Sequence, residues 1–112
     1  MATLVLPAAM PRLALLASPG PLTMQPMTEM ILSGVTTFAD MYYFEDDVAQ
    51  ATDEADMRAI LGQTLLKFPT PDSASYDSGL TYCRGFIERW RGHERIVPAV
   101  APHAPYTSTE TL

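Results

Sequence analysis

The chain has 112 residues, 47% of them hydrophobic and 18% charged, proportions that suit one small globular domain and leave no room for two. Thirteen acidic residues against seven Lys and Arg give a formal net charge of −6, which excludes a surface that tracks nucleic-acid phosphates. One cysteine, Cys83, excludes a disulfide framework and a cysteine-rich zinc site, and two histidines, His93 and His103, are too few for a complete histidine-rich catalytic metal centre.

Along the chain, composition breaks near residue 28. Before it lie one charge, Arg12, and five of the ten prolines, Pro7, Pro11, Pro19, Pro21 and Pro26; all thirteen acids follow from Glu29 onward. The apolar opening lacks the basic start of a signal peptide and is interrupted by Pro7, Pro11 and Arg12. No unbroken apolar run of about 20 residues exists to span a membrane. Residues 1–27 are therefore expected to form an irregular, apolar, proline-rich leader and residues 28–112 the folded domain. The lone thiol fits a reducing compartment, and a cytoplasmic setting is expected.

From residue 22 the periodicity is helical. Leu22, Met24, Met27, Met30 and Ile31 share a broad face, Thr23 or Thr28 is a candidate cap, and Ser33-Gly34 is a left-handed stop. Val35 to Met41 is β-branched and largely apolar, as a buried parallel strand is. Tyr42, Tyr43 and Phe44 follow. Glu45, Asp46 and Asp47 then suit the positive first turn of a helix reaching about Ala55, with Asp56 in the turn. The acidic run from Glu45 to Asp56 reads as a solvated helix face.

The pattern then repeats. Met57 to Leu66 reads as a second buried strand and Phe68 to Ser73 as its loop. Residues 74–91 space Tyr76, Leu80, Cys83, Phe86, Ile87 and Trp90 helically against Arg84, Glu88, Arg89 and Arg91, and Gly92 ends that helix. Ile96 to Ala101 reads as a third strand leading into Pro102 to Thr107. Ser108, before Thr109, Glu110 and Thr111, resembles a fresh helix cap. Alternating helices and strands imply βαβ crossovers and a parallel sheet, either an open doubly wound layer or a slice of a (β/α)8 barrel. Three strands and three helices in about 90 residues approach three eighths of a typical barrel of roughly 250 residues, so a segment of a larger enzyme is expected.

The strings EMILSGVTTFADMYYF (Glu29 to Phe44), MRAILGQTLLKFPTP (Met57 to Pro71) and VAPHAPYTSTETL (Val100 to Leu112) resemble the amidohydrolase superfamily. The branch they are most similar to is the methylthioadenosine/S-adenosylhomocysteine deaminases and their chlorohydrolase-like relatives. The likeness runs from about residue 28 to the C-terminus; residues 1–27 do not share it. It implies a (β/α)8 TIM barrel with a divalent metal, usually zinc, held by a His-X-His pair, a later His and an Asp. Such a metal lowers the pKa of its bound water while a Glu shuttles protons. The resemblance places those ligands outside this stretch, so no metal is expected on this chain itself.

The resemblance carries over one site residue. His103, just past the third strand, matches a histidine that contacts substrate in the family, on the face where barrels build their sites. Gln63 stands where many relatives place an Arg that grips substrate; the amide keeps hydrogen bonding but loses the charge-assisted fork. Asp40 either faces the pocket or braces a loop, and Tyr42, Tyr43 and Phe44 either line a purine pocket or simply pack. His93 is expected to be solvated and Cys83 to be an inert core thiol. The expected function is part of a metal-dependent amidohydrolase whose whole hydrolyses a C–N bond of an adenosine-like or other heterocyclic substrate, the isolated chain being inactive. The alternative is a noncatalytic α/β interaction module. Expected partners are the small heterocycle, neither nucleic acid nor membrane, and further copies of the chain through exposed edges.

Overall fold

In a computed structural model, which describes residues 2–5 and 21–108, four parallel strands and three helices alternate. Strand β1 is Ala2–Val5, helix α1 Pro21–Leu32, β2 Val35–Tyr42, α2 Glu45–Glu54, β3 Arg58–Leu65, α3 Tyr76–Trp90 and β4 Ile96–Pro102, followed by a 3-10 turn at Pro105–Thr107. The sheet order is β1-β2-β3-β4 and every pairing is parallel. Two expectations change. Ala2–Val5 is not irregular but a strand pairing with β2, and the boundary set at residue 28 falls inside α1. The helix expected after Ser108 lies outside the described residues.

Local chemistry explains each boundary. Helix α1 opens on Pro21 rather than at Thr23 or Thr28; proline suits a first turn because its missing N–H has no intrahelical partner there. Pro26 further along removes a helical hydrogen bond, a cost that burial of Met27 and Met30 offsets. The helix closes with the Ser33 hydroxyl donating to Glu29 O at 2.8 Å and with Gly34 at φ +85°, a conformation open to glycine without strain. Helix α3 opens on a reciprocal cap. Ser78 N donates to Ser75 Oγ at 3.2 Å and Ser75 N to Ser78 Oγ at 3.0 Å.

Pairing register assigns the two faces of the sheet, because side chains alternate along each strand and paired residues share a side. Phe38, Ala59 and Ile96 pair across β2, β3 and β4 and are buried. They meet Met27 and Met30 of α1, Val48, Ala49 and Ala51 of α2 and Phe86 of α3 in one apolar core. Burial of this kind contributes about 1.5–3 kcal/mol for each large side chain. The other face carries Ile60, 51% exposed, paired with Val97, 55% exposed.

Candidate functional site

The C-terminal ends of β2, β3 and β4 open into three loops on one side of the sheet. His103 follows β4 directly, is exposed, and extends the ladder by donating its N–H to Leu65 O at 3.2 Å. Its Nδ1 lies 3.1 Å from Thr107 Oγ1, whose hydroxyl donates to Ala104 O at 3.1 Å. Lys67 N donates to Thr107 O at 2.8 Å, so the loops after β3 and β4 are fastened together beside the imidazole. The arrangement presents one hydrogen-bonding ring at the open end of the strands.

Beneath those loops, on the helix side of the sheet, lies a buried polar circuit. Glu45 opens α2, and its Oε1 accepts from Tyr42 N at 2.8 Å. Glu45 N donates to Gln63 Oε1 at 3.2 Å, and Gln63 Nε2 donates to Asp72 Oδ2 at 2.7 Å. Phe44 N donates to the same Asp72 oxygen at 2.9 Å, while Asp72 Oδ1 accepts from the Thr70 hydroxyl at 2.7 Å. These bonds hold Phe44 in the left-handed region, φ 55° and ψ 38°, where a bulky residue is otherwise strained. Asp40 accepts from Met41 N at 2.9 Å, and burial pushes its carboxyl up to about 6. Burial also holds the Tyr82 hydroxyl of α3 above its ordinary range, with the nearby Asp47, Asp72 and Glu45 charges adding to the shift.

Several expectations change at this level. Glu45 is not on a solvated face: it is 0% exposed. Gln63 is likewise 0% exposed with both ends of its amide engaged, so it braces the framework. Asp40 braces its own loop. Tyr42 and Tyr43 rings stand 4.8 Å apart at 54°, half-buried. His93 is not simply solvated. It lies before the start of β4, at the opposite end of the sheet from His103, with Nδ1 accepting from Arg95 N at 3.2 Å and Ile96 N at 3.3 Å. Its ring meets Trp90 edge-on, and its Nε2 is 3.5 Å from Asp53 Oδ1. Cys83 is buried and free, and burial pushes its thiol up, as an inert core cysteine requires.

Sequence reasoning passed over Asp72, Thr107 and Tyr82. The one local signal was the Pro-Thr-Pro-Asp-Ser turn, in which an Asp after proline commonly braces a loop. Among the described residues no three His, Cys, Asp or Glu side chains converge as a metal would require. Asp40, Glu45 and Asp72 are turned beneath the loops and engage backbone N–H groups, while His103 stands apart from them. The described part of this chain therefore does not itself fit a metal. A shallow cleft lined by Ile31, Gly34, Val35, Ala55 and Asp56 lies at the opposite, N-terminal end of the strands. Among the described residues no helix is long and apolar enough to cross a membrane.

Comparison with known proteins agrees with this geometry. The model of the Amidohydrolase family matches residues 23–112. A 5-methylthioadenosine/S-adenosylhomocysteine deaminase from Syntrophobacter fumaroxidans is 48% identical over 90 residues, covering 80% of this chain and 20% of the relative. Its counterpart from Thermodesulfovibrio yellowstonii is 49% identical over 85 residues, covering 75% of this chain and 19% of the relative. The chain thus spans about a fifth of the length of these relatives. Among solved structures, a zinc-bound adenosine deaminase from Xanthomonas campestris superposes with a TM-score of 0.76 at 29% identity, covering 88% of this chain and 23% of that one. An atrazine chlorohydrolase from Arthrobacter aurescens, complexed with zinc and atraton, shares the fold at a TM-score of 0.63 and 18% identity, covering 79% and 24%. The parallel sheet is accordingly a segment of a (β/α)8 barrel and not an open doubly wound layer.

Proposed function

The chain belongs to the amidohydrolase family, and from that premise we propose that it forms one part of the wall of a metal-dependent hydrolase that cleaves a C–N bond, deaminating an adenosine-like or related heterocyclic substrate. The observation that carries the reading is His103, exposed at the C-terminal mouth of the strands, where barrels of this type gather their chemistry. In this reading its imidazole hydrogen-bonds the heterocycle or its sugar, and Thr107 orients the ring. The zinc, whose chemistry when bound is to generate hydroxide near neutral pH, is held by residues beyond those described, and His103 is not among its ligands. The circuit through Glu45, Gln63 and Asp72 sets the loops around the mouth. The setting is cytoplasmic.

On its own the chain is inactive and self-associates, a reading supported by the bare apolar pair Ile60 and Val97. The test is a hybrid in which residues 23–112 replace the matching segment of the Syntrophobacter fumaroxidans deaminase. Ammonia release from methylthioadenosine, S-adenosylhomocysteine or adenosine is expected. A folded, zinc-loaded hybrid inert toward all three and toward other aminated heterocycles contradicts the reading.

A further inference from the structure

Under the aromatic loop Glu45 lies within range of the Asp40 and Asp72 charges, and one of its oxygens has nothing to bond. Glu45 is wholly buried; Tyr42 N serves its Oε1, whereas its Oε2 has no hydrogen-bond partner. The groups that face it come from every neighbouring element. Strand β2 brings Asp40 and the Tyr42 N–H, β3 brings the uncharged amide of Gln63, the loop after β3 brings Asp72, and α3 brings the Tyr82 hydroxyl. On α2 itself Asp46 and Asp47 follow. Asp46 is taken up by Arg89 and by Trp90 Nε1. Among the described residues the ion pairs of arginine fall on Asp46, Asp53, Asp56 and Glu94, and none falls on Asp40, Glu45 or Asp72.

A charge stripped of water, flanked by two like charges and lacking a donor on one oxygen, is far more costly to bury than a neutral acid. The first turn of α2 favours the anion, but a terminal helix dipole is a weak term beside burial. The Tyr42 bond survives protonation, because the carbonyl oxygen of a carboxylic acid still accepts.

We propose that Glu45 is a neutral carboxylic acid in the folded protein at neutral pH, with its proton on Oε2, and that it acts as a positioning residue latching the Tyr42-Tyr43-Phe44 loop to α2. Loss of the proton to solvent places a third negative charge beside Asp40 and Asp72, and the loop opens to admit water. The left-handed Phe44, held from both sides by Asp72 and the start of α2, is the segment that yields. Burial first, then the Asp40 charge, hold the Glu45 carboxyl well above the usual range against the pull of Tyr42 N–H, in agreement with the geometry. The loop borders the mouth where His103 stands, so its shape becomes sensitive to alkali. The inference does not depend on what that mouth binds.

The test uses the full chain. In D2O at neutral pD the infrared spectrum is expected to show a carboxylic-acid carbonyl band that persists in Asp40→Asn and disappears in Glu45→Gln. In Asp40→Asn, which removes a like charge, the band should titrate at lower pH. Glu45→Gln keeps an acceptor for Tyr42 N. Its Tyr42 and Phe44 amides should therefore stay protected at neutral pH, while wild-type protection, corrected for intrinsic exchange, falls at least 10-fold as the band is titrated away. Absence of the acid band from wild type overturns the proposal. So does a Glu45→Gln chain that fails to fold or loses 10-fold protection at neutral pH, since an uncharged isostere would then not replace the native group.

Discussion

Gln63 Nε2 donates to Asp72 Oδ2 at 2.7 Å, and that one oxygen also receives Phe44 N–H at 2.9 Å, so the end of β3 and the two loops beside it are tied at a single atom. Replacing Gln63 with Leu keeps the volume but strands the Glu45 N–H and one Asp72 bond in a buried place. The expected loss is about 2–3 kcal/mol of stability, read from urea denaturation. A loss under about 0.5 kcal/mol would show that the tie is incidental.

Asp40 gives stability an unusual pH dependence. Its carboxyl titrates near the ordinary 3.8 when unfolded and about 6 when folded, so between those values the folded chain holds more protons than the unfolded one. Stability therefore falls as pH rises from about 4 to about 6, by at most about 2–3 kcal/mol. Glu45, raised from 4.5, extends the fall to higher pH. Urea midpoints across this window should decline for wild type and decline less steeply in Asp40→Asn, where Glu45 still takes up a proton on folding; parallel curves for the two would contradict the assignment.

Gly62 is required by space rather than by backbone angle. A Cβ added there would sit 2.9 Å from Ala101 Cβ and 3.4 Å from Asp40 O. Gly62→Ala should cost about 1–3 kcal/mol through overpacking between β3 and β4. Combining it with Ala101→Gly should recover part of the loss, a coupling that a double-mutant cycle measures and that additivity would refute.

The two histidines should separate cleanly in stability. His93 caps the backbone N–H groups of Arg95 and Ile96, so His93→Ala is expected to cost about 1–2 kcal/mol in a thermal or urea melt. His103 is exposed on its loop, and His103→Ala should stay within about 0.5 kcal/mol. The reverse order would mean that the two sites are misassigned.

What the sequence revealed and what it concealed follow from the range of the forces involved. β2, β3 and β4 announce themselves as β-branched runs set off by Gly34, Asp56 and Gly92, because strand propensity and left-handed stops are local. β1 does not: four residues, Ala2–Val5, carry too little pattern, and their pairing with β2 is a long-range event. Glu45 reads locally as a solvated first-turn acid. Only the convergence of Asp40, Gln63 and Asp72 from other segments buries it. Gln63 is hidden in the same way, since an amide in a strand shows nothing of whether it meets a ligand or a loop. The position of His103 just past a strand was legible, its expected role came only from the family resemblance, and Thr107, which braces it, gave no signal.

The measurement that bears most directly on the account is the specificity constant of the hybrid deaminase carrying residues 23–112, with and without His103→Ala, read together with its zinc content. Loss of a hydrogen bond to a buried substrate group should lower kcat/KM about 10-fold or more and leave zinc unchanged. An unaltered kcat/KM, or zinc lost along with activity, would contradict the placement of His103 as the substrate contact at the mouth of the barrel.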